Sequence, residues 1–232
     1  MRHLTVAIPT YNRFLMVIEA VAGIINDDRV SEIIINDDAS TDGSYEKLKN
    51  AFDNNPKVVV SRNLYNKDCY ENKRNSIAFS KNKFAALIDS DNIISSDYID
   101  VLYEHEWCDD VILTPEFAKD SFDFRAYAGL MISKENVAEY IDKPLFETML
   151  NAANYFVNAK KYCEVFDESV KPVTSDSIFM VYRWLLAGNK IYVTPGLQYY
   201  HRIHPGSHYV TKNMLTPPGF HAELLNKLRQ LK

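Results

Sequence analysis

The chain has 232 residues, a formal net charge of −5 and 47% hydrophobic residues. That size and apolar content suit one large domain, or one domain with a small appendage, and the acidic balance without a basic stripe argues against a nucleic-acid-binding face. Three widely spaced cysteines, Cys69, Cys108 and Cys163, form neither a zinc spacing nor a disulfide framework and point to a reducing compartment.

The first half alternates strand and helix patterns. Residues 4–8 (Leu-Thr-Val-Ala-Ile) read as a strand. Residues 14–25 carry apolar side chains at Phe14, Val17, Ile18, Val21, Ile24 and Ile25, one face of a helix. Strands are expected at 32–35, 57–60, 84–88 and 111–113, and helices at 44–52, 71–80 and 97–105, the last with Ser96 as a plausible N-cap. Such alternation implies right-handed crossovers and a mostly parallel sheet flanked by helices. After about Pro115 the alternation fails, and 122–133 mixes aromatics and charges. Helices are expected at 134–140, 145–153, 176–187 and 222–231, with Gly188 just past the third. Strands are expected at 190–194 and 197–201, parted by Pro195-Gly196 as a turn. The expected organisation is one domain over 1–232, with a nucleotide-side half (1–114) and an acceptor-side, mixed half (115–232). No signal peptide and no apolar run long enough to span a bilayer is seen, so the expected location is cytoplasmic, and peripheral contact with a membrane surface is compatible with it.

The most informative segment is Phe84-Ala85-Ala86-Leu87-Ile88-Asp89-Ser90-Asp91-Asn92. An apolar run reads as a strand buried on both faces. Ionised Asp is rarely buried without a partner, so the strand ends at Asp89. Two acids at the carboxyl end of a central parallel strand stand where open α/β sheets bind ligands. Their hard oxygens suit Mg²⁺ or Mn²⁺, which commonly bridge carboxylates to substrate phosphates. Asp, Ser and Asn also favour plain polar turns, so the other strand ends matter. Strand one runs into Ile8-Pro9-Thr10-Tyr11-Asn12-Arg13, where Tyr11 could stack on a base and Arg13 approach phosphate, or Thr10 or Asn12 could simply cap a helix. Strand two runs into Asn36-Asp37-Asp38-Ala39-Ser40-Thr41-Asp42-Gly43, whose acids suit base N–H groups and ribose hydroxyls, or a solvated turn. Three strands thus end in nucleotide-compatible groups on one edge.

These segments, with Lys73-Arg74-Asn75 and Tyr199-Tyr200-His201-Arg202-Ile203-His204-Pro205-Gly206-Ser207, resemble the family 2 inverting glycosyltransferases of the GT-A fold over about residues 1–207. The resemblance implies an α/β, Rossmann-like nucleotide half and an acceptor half. It implies that Pro9, Thr10, Tyr11, Arg13, Asp38, Arg74, Asp89, Ser90 and Asp91 bind the nucleotide sugar. Tyr11 and Asp38 would hold the base, Arg74 would reach base or diphosphate, and Asp89 would face ribose and sugar. Asp91 would bind Mn²⁺ or Mg²⁺, joined by His204. Family members usually have Gly where Ala39 stands and often Asp where Asn92 stands. Their catalytic base opens a helix ending in Arg-x-x-x-x-Gly, which maps it to Asp176 ahead of Arg183 and Gly188, with Ser175 in place of a preceding acid. On the residues alone, Asp176 equally suits a helix N-terminus. Asp167 and Glu168 lie on a turn and are weaker candidates. The implied reaction is single displacement from a nucleotide diphosphate sugar, a UDP-sugar by family habit, to a hydroxyl of a glycan, glycolipid or glycoprotein. The alternative is a catalytically inactive nucleotide-sugar or glycan-binding module. A nucleotidyltransferase, a nicotinamide-linked dehydrogenase and a Walker A enzyme are disfavoured, because no Gly-rich loop follows strand one.

Overall fold

The computed structural model describes residues 2–204, 206–207 and 219–231; Pro205 of the quoted motif lies outside them. The chain order is β1 (Leu4–Thr10), α1 (Phe14–Ala22), β2 (Val30–Asp37), α2 (Ser44–Phe52), β3 (Val58–Arg62), α3 (Asp68–Ala78), β4 (Phe84–Leu87), α4 (Ser96–Glu104) and β5 (Val111–Lys119). It continues through β6 (Phe122–Asp123), β7 (Met131–Ile132), α5 (Val137–Tyr140), α6 (Phe146–Asn151), β8 (Tyr155–Asn158), α7 (Ala159–Val165), α8 (Asp176–Leu186), β9 (Lys190–Tyr200) and α9 (Phe220–Arg229). Among the described residues these strands form one nine-stranded sheet in the order β3-β2-β1-β4-β8-β5-β9-β7, with β6 paired to β5.

The nucleotide side is parallel, as the alternation predicts: β1 pairs parallel with β2 and β4, and β2 with β3. Every residue of β1 and β4 is buried, which is what apolar runs covered on both faces require. Right-handed crossovers put α1 and α2 over one face and α3 over the other. The acceptor side is mixed. β8 lies antiparallel between β4 and β5, with Leu87 opposite Tyr155 and Leu113 opposite Phe156. Neither β8 nor α7 is expected from the sequence: four residues, all buried, carry no readable period. Tertiary packing makes that strand, with Phe156 stacked on Phe84 and edge-on to Trp107.

Pro195-Gly196 is not a turn between two strands. β9 runs through it as one strand, and its pairing with β5 shifts register between Pro115 and Phe117. Gly196 takes φ 80 and donates its N–H to Glu116 Oε1 at 2.9 Å, so the dipeptide makes a bulge where a proline lacks a ladder donor. The first helix stops at Ala22, short of the expected Ile25, and Gly23 explains the tight exit. A Cβ there would meet the Ile94 carbonyl at 2.5 Å, so only glycine lets α1 close against the loop after Asp91. Among the described residues no helix is long and apolar enough to cross a membrane.

Candidate active site at the carboxyl edge of the sheet

Because β1, β2 and β4 run parallel, their carboxyl ends deliver three loops to one edge. The first two loops are stitched together. Asp38 donates its backbone N–H to the Thr10 carbonyl at 2.8 Å. Asn12 takes the left-handed conformation (φ 54), donates its N–H to Ser40 Oγ at 2.8 Å and accepts the Thr41 N–H at 2.9 Å. Asn12 thus serves the loop, and the first N–H of α1, from Phe14, goes instead to Ser44 Oγ at 3.2 Å. Tyr11, held between these anchors, keeps its ring 41% exposed. Pro9 and Thr10 are buried.

Asp38 is buried, and among the described residues both of its carboxylate hydrogen bonds fall on Oδ1, from Asn63 Nδ2 at 2.7 Å and the Lys67 N–H at 2.8 Å. Asn63 in turn belongs to an amide cluster with Asn36, Asn72 and Asn75 that ties β2 to α3. Burial raises the pKa of Asp38 above the usual 3.8, and those two hydrogen bonds oppose the rise. A carboxyl raised in this way keeps its proton in the folded chain where the unfolded chain has lost it. Its ionised form therefore costs stability above the folded pKa, and the cost vanishes as pH falls below the unfolded value. Asp38→Asn should accordingly melt higher than the wild type at neutral pH. The gap should close as the buffer approaches pH 3.8, which paired thermal melts will read.

Next to Asp38, Ala39 adopts φ 60. This is the left-handed region that costs a Cβ-bearing residue roughly 1–2 kcal/mol and suits glycine. Glycine's greater freedom in the unfolded chain offsets part of that, so Ala39→Gly should stabilise the protein by about 0.5–1 kcal/mol in denaturant unfolding, with ligand binding unchanged.

The third loop carries the acids. Asn154 (φ 79), just before β8, shapes it: its Oδ1 accepts the Asp89 N–H at 2.9 Å and Asn92 Nδ2 at 3.2 Å, and its carbonyl accepts Tyr98 Oη at 2.8 Å. Asp91 Oδ2 meets Arg13 Nη1 at 3.0 Å and His204 Nε2 at 3.1 Å. Arg13 also donates to Ser90 Oγ at 3.4 Å and to the Gly206 carbonyl at 3.1 Å. His204 arrives because the end of β9 is clamped to this loop. Ile93 and Tyr200 exchange backbone hydrogen bonds at 2.9 and 3.1 Å, and Arg202 bonds the Asp91 carbonyl and Glu19.

Asp176 opens α8 and is 7% exposed. The helix's N-cap residue, Ser175, makes no capping hydrogen bond, and Asn151 Oδ1 accepts the first-turn N–H of Ile178 at 3.2 Å. Asp176 Oδ2 faces Lys73 Nζ of α3 at 2.8 Å, and the same ammonium stands 3.3 Å from Asp89 Oδ1. Burial raises the pKa of Asp89, and the Lys73 charge acts against it. The structure thus brings the acceptor-half acid to the donor-edge acids through a lysine that sequence reasoning left without a role. Arg74, expected to reach base or diphosphate, donates to Asn75 Oδ1 at 2.9 Å and lies over the Phe166 ring. Asp167 accepts the Ser169 N–H and pairs with Arg183 at 3.6 Å, on a turn away from these carboxylates.

Among the described residues, no cluster of three or more His, Cys, Asp or Glu is arranged for a metal. Asp91 and His204 nevertheless converge on one point, and an open carboxylate–imidazole pair fits part of a divalent cation's ligand set. Among the described residues, the buried Thr10 Oγ1 and Asp37 Oδ2, at two of the three strand ends, have no hydrogen-bond partner, as a ligand-binding edge would leave them.

Comparison with known proteins agrees with this architecture. The chain is 25% identical over 215 residues to the glycosyltransferase GlyG of Streptococcus pneumoniae serotype 4, covering 86% of this chain and 70% of that protein. It superposes on S. aureus TarS 1–349 in complex with UDP with a TM-score of 0.67 at 16% identity, covering 97% of this chain and 64% of that one. It also superposes on the mannosyltransferase PcManGT of Pyrobaculum calidifontis in complex with GDP-Man and Mn²⁺, with a TM-score of 0.60 at 14% identity, covering 99% and 70%. At these identities the superpositions establish the α/β fold, which is the one the sequence led us to expect. The model of Glycosyl transferase family 2 matches residues 5–157, more than half of the chain and all three strand-end loops, and the chain belongs to that family.

Proposed function

We propose that this transferase moves a sugar from a nucleotide diphosphate sugar, a UDP-sugar, to a hydroxyl of a glycan, glycolipid or glycoprotein acceptor with inversion at the anomeric carbon. The observation that carries the reading is the approach of Asp176 to the Asp89 loop, linked through Lys73 at 2.8 and 3.3 Å. A single displacement needs a base across the donor sugar from the leaving group, and Asp176 supplies a buried carboxylate at that edge.

In this reading the exposed Tyr11 ring stacks on the base, and Asp38, bonded among the described residues through Oδ1, offers Oδ2 to a base N–H. Asp38→Asn should therefore weaken UDP binding even as it melts higher. Asp89 and Ser90 face ribose and sugar. Asp91 and His204 would hold Mn²⁺ or Mg²⁺, which when bound neutralises charge on the leaving diphosphate. Arg13, now on Asp91, would turn to a phosphate oxygen. Asp176 takes the acceptor hydroxyl's proton as that oxygen attacks the anomeric carbon. The new C–O bond forms as the bond to the diphosphate oxygen breaks, and the nucleoside diphosphate leaves with the electron pair. Support for the donor class comes from TarS, solved with UDP and with UDP-GlcNAc, and from PcManGT, solved with GDP-Man and Mn²⁺.

A thermal-shift screen of UDP, GDP and their sugars, with and without Mn²⁺, tests the donor assignment, since a ligand of the folded state raises its apparent stability. The expected result is a shift with UDP compounds that grows with Mn²⁺. Equal shifts with UDP and GDP would contradict a uridine-selective pocket.

A further inference from the structure

Helix α3 carries two adjacent cations, and only Lys73 enters the carboxylate cluster. Its ammonium lies 2.8 Å from Asp176 Oδ2, 3.1 Å from Ser177 Oγ and 3.3 Å from Asp89 Oδ1. Three acceptors match its three N–H donors, so the head group is fixed from three directions by α8 and the loop after β4. Burial pulls the Lys73 pKa down, but the charges of Asp176 and Asp89 outweigh it and hold the group well above its ordinary value. It stays cationic. On the other side of this contact, among the described residues, both hydrogen bonds to Asp176 fall on Oδ2, from Lys73 and from Ser177 at 3.4 Å. Oδ1 is thereby left for another partner. An ammonium cannot accept a proton, so Lys73 is no second base.

We propose that Lys73 is a positioning residue for the transfer step: it grips Asp176 by Oδ2, turns Oδ1 toward the acceptor hydroxyl and fixes the base relative to the donor-side Asp89. This rests on the reading of Asp176 as the base. Lys73 ties the acceptor-side carboxylate directly to a nucleotide-side one, since α3 follows strand β3 and Asp176 opens α8. Unpaired, the buried Asp176 and the half-buried Asp89 carboxylates would repel each other.

The test compares K73M, K73R, D176N and K73M/D176N by calorimetry with UDP and Mn²⁺, by thermal melts, and by nucleoside diphosphate release from a panel of UDP- and GDP-sugars with acceptor glycans. K73M should keep its UDP affinity within about threefold while kcat per folded molecule falls roughly 10–100-fold. K73M/D176N should be no slower than D176N alone, because two residues acting through one carboxylate are non-additive. K73R should bind UDP normally but also lose kcat, because a planar guanidinium cannot reproduce a three-way ammonium contact; it decides the matter if K73M does not fold. A purely structural ion pair would lower the melting temperature and leave kcat unchanged, which overturns the proposal. Losses that multiply in the double mutant overturn it too. D176N at the wild-type rate would remove the base assignment itself, whereas a slow D176N beside a fully active K73M and K73R removes only the positioning role.

Discussion

Asp176→Asn should bind UDP like the wild type yet transfer sugar about 10²–10⁴-fold more slowly, the usual worth of a general base. The substitution keeps the side chain's shape and an oxygen for Lys73, but an amide cannot take the acceptor's proton. The rival role is a first-turn acid that favours the α8 macrodipole, worth about 0.3–1 kcal/mol. That role would appear as a lower melting temperature with an unchanged rate per folded molecule. Asp167→Asn is the matched control. Asp167 accepts from Ser169 and pairs with Arg183, with its pKa lowered mainly by the Ser169 hydrogen bond. Losing it should cost a little stability and leave transfer near the wild-type rate. Transfer assays normalised to folded protein, run beside UDP titrations, separate these cases.

Asp91→Asn should abolish most of the Mn²⁺-dependent gain in UDP affinity, about 100-fold or more given that even outer-shell partners of metal ligands are worth 10–100-fold. Asp91 Oδ2 is the point at which Arg13 and His204 converge, so the substitution removes the charge at that point. His204→Ala should reduce the same gain by less, because Asp91 and the diphosphate oxygens remain. Calorimetry of UDP with and without Mn²⁺ measures both variants. An Asp91→Asn protein whose UDP affinity still rises fully with Mn²⁺ would place the ion elsewhere.

How much of this was legible in the sequence depended on the range of each signal. The places of β1, β2 and β4 were readable from their apolar runs, but only β4 stops before its acids; β1 and β2 each run two residues past the expected end, to Thr10 and to the buried Asp37, where parallel pairing continues. β8 was not readable, because its four residues acquire strand identity only from neighbours on both sides. The bulge in β9 read as a turn because Pro-Gly signals both, and only the pairing with β5 decides between them. In the site, the position of Asp176 at the head of a helix was foreseen, but its partner was not: Lys73 and Asp176 are 103 residues apart, and no local pattern links them. Neighbouring Arg74 drew the functional role because the resemblance pointed to it, and helix geometry then turned the two cations in different directions. Asn154 likewise carried no local sign of its hold on the Asp89 loop. Ala39 left a trace: the family's glycine preference at that position corresponds to its positive φ.

The most direct test of the account is nucleotide-sugar turnover without acceptor. The protein is incubated with a panel of UDP- and GDP-sugars in Mn²⁺ or in EDTA, and nucleoside diphosphate release is followed over time. The account predicts slow release from at least one UDP-sugar, dependent on Mn²⁺ and lost in Asp91→Asn. Tight binding of these sugars with no release under any condition, and none when glycan acceptors are added, would contradict it and make the chain a binding module.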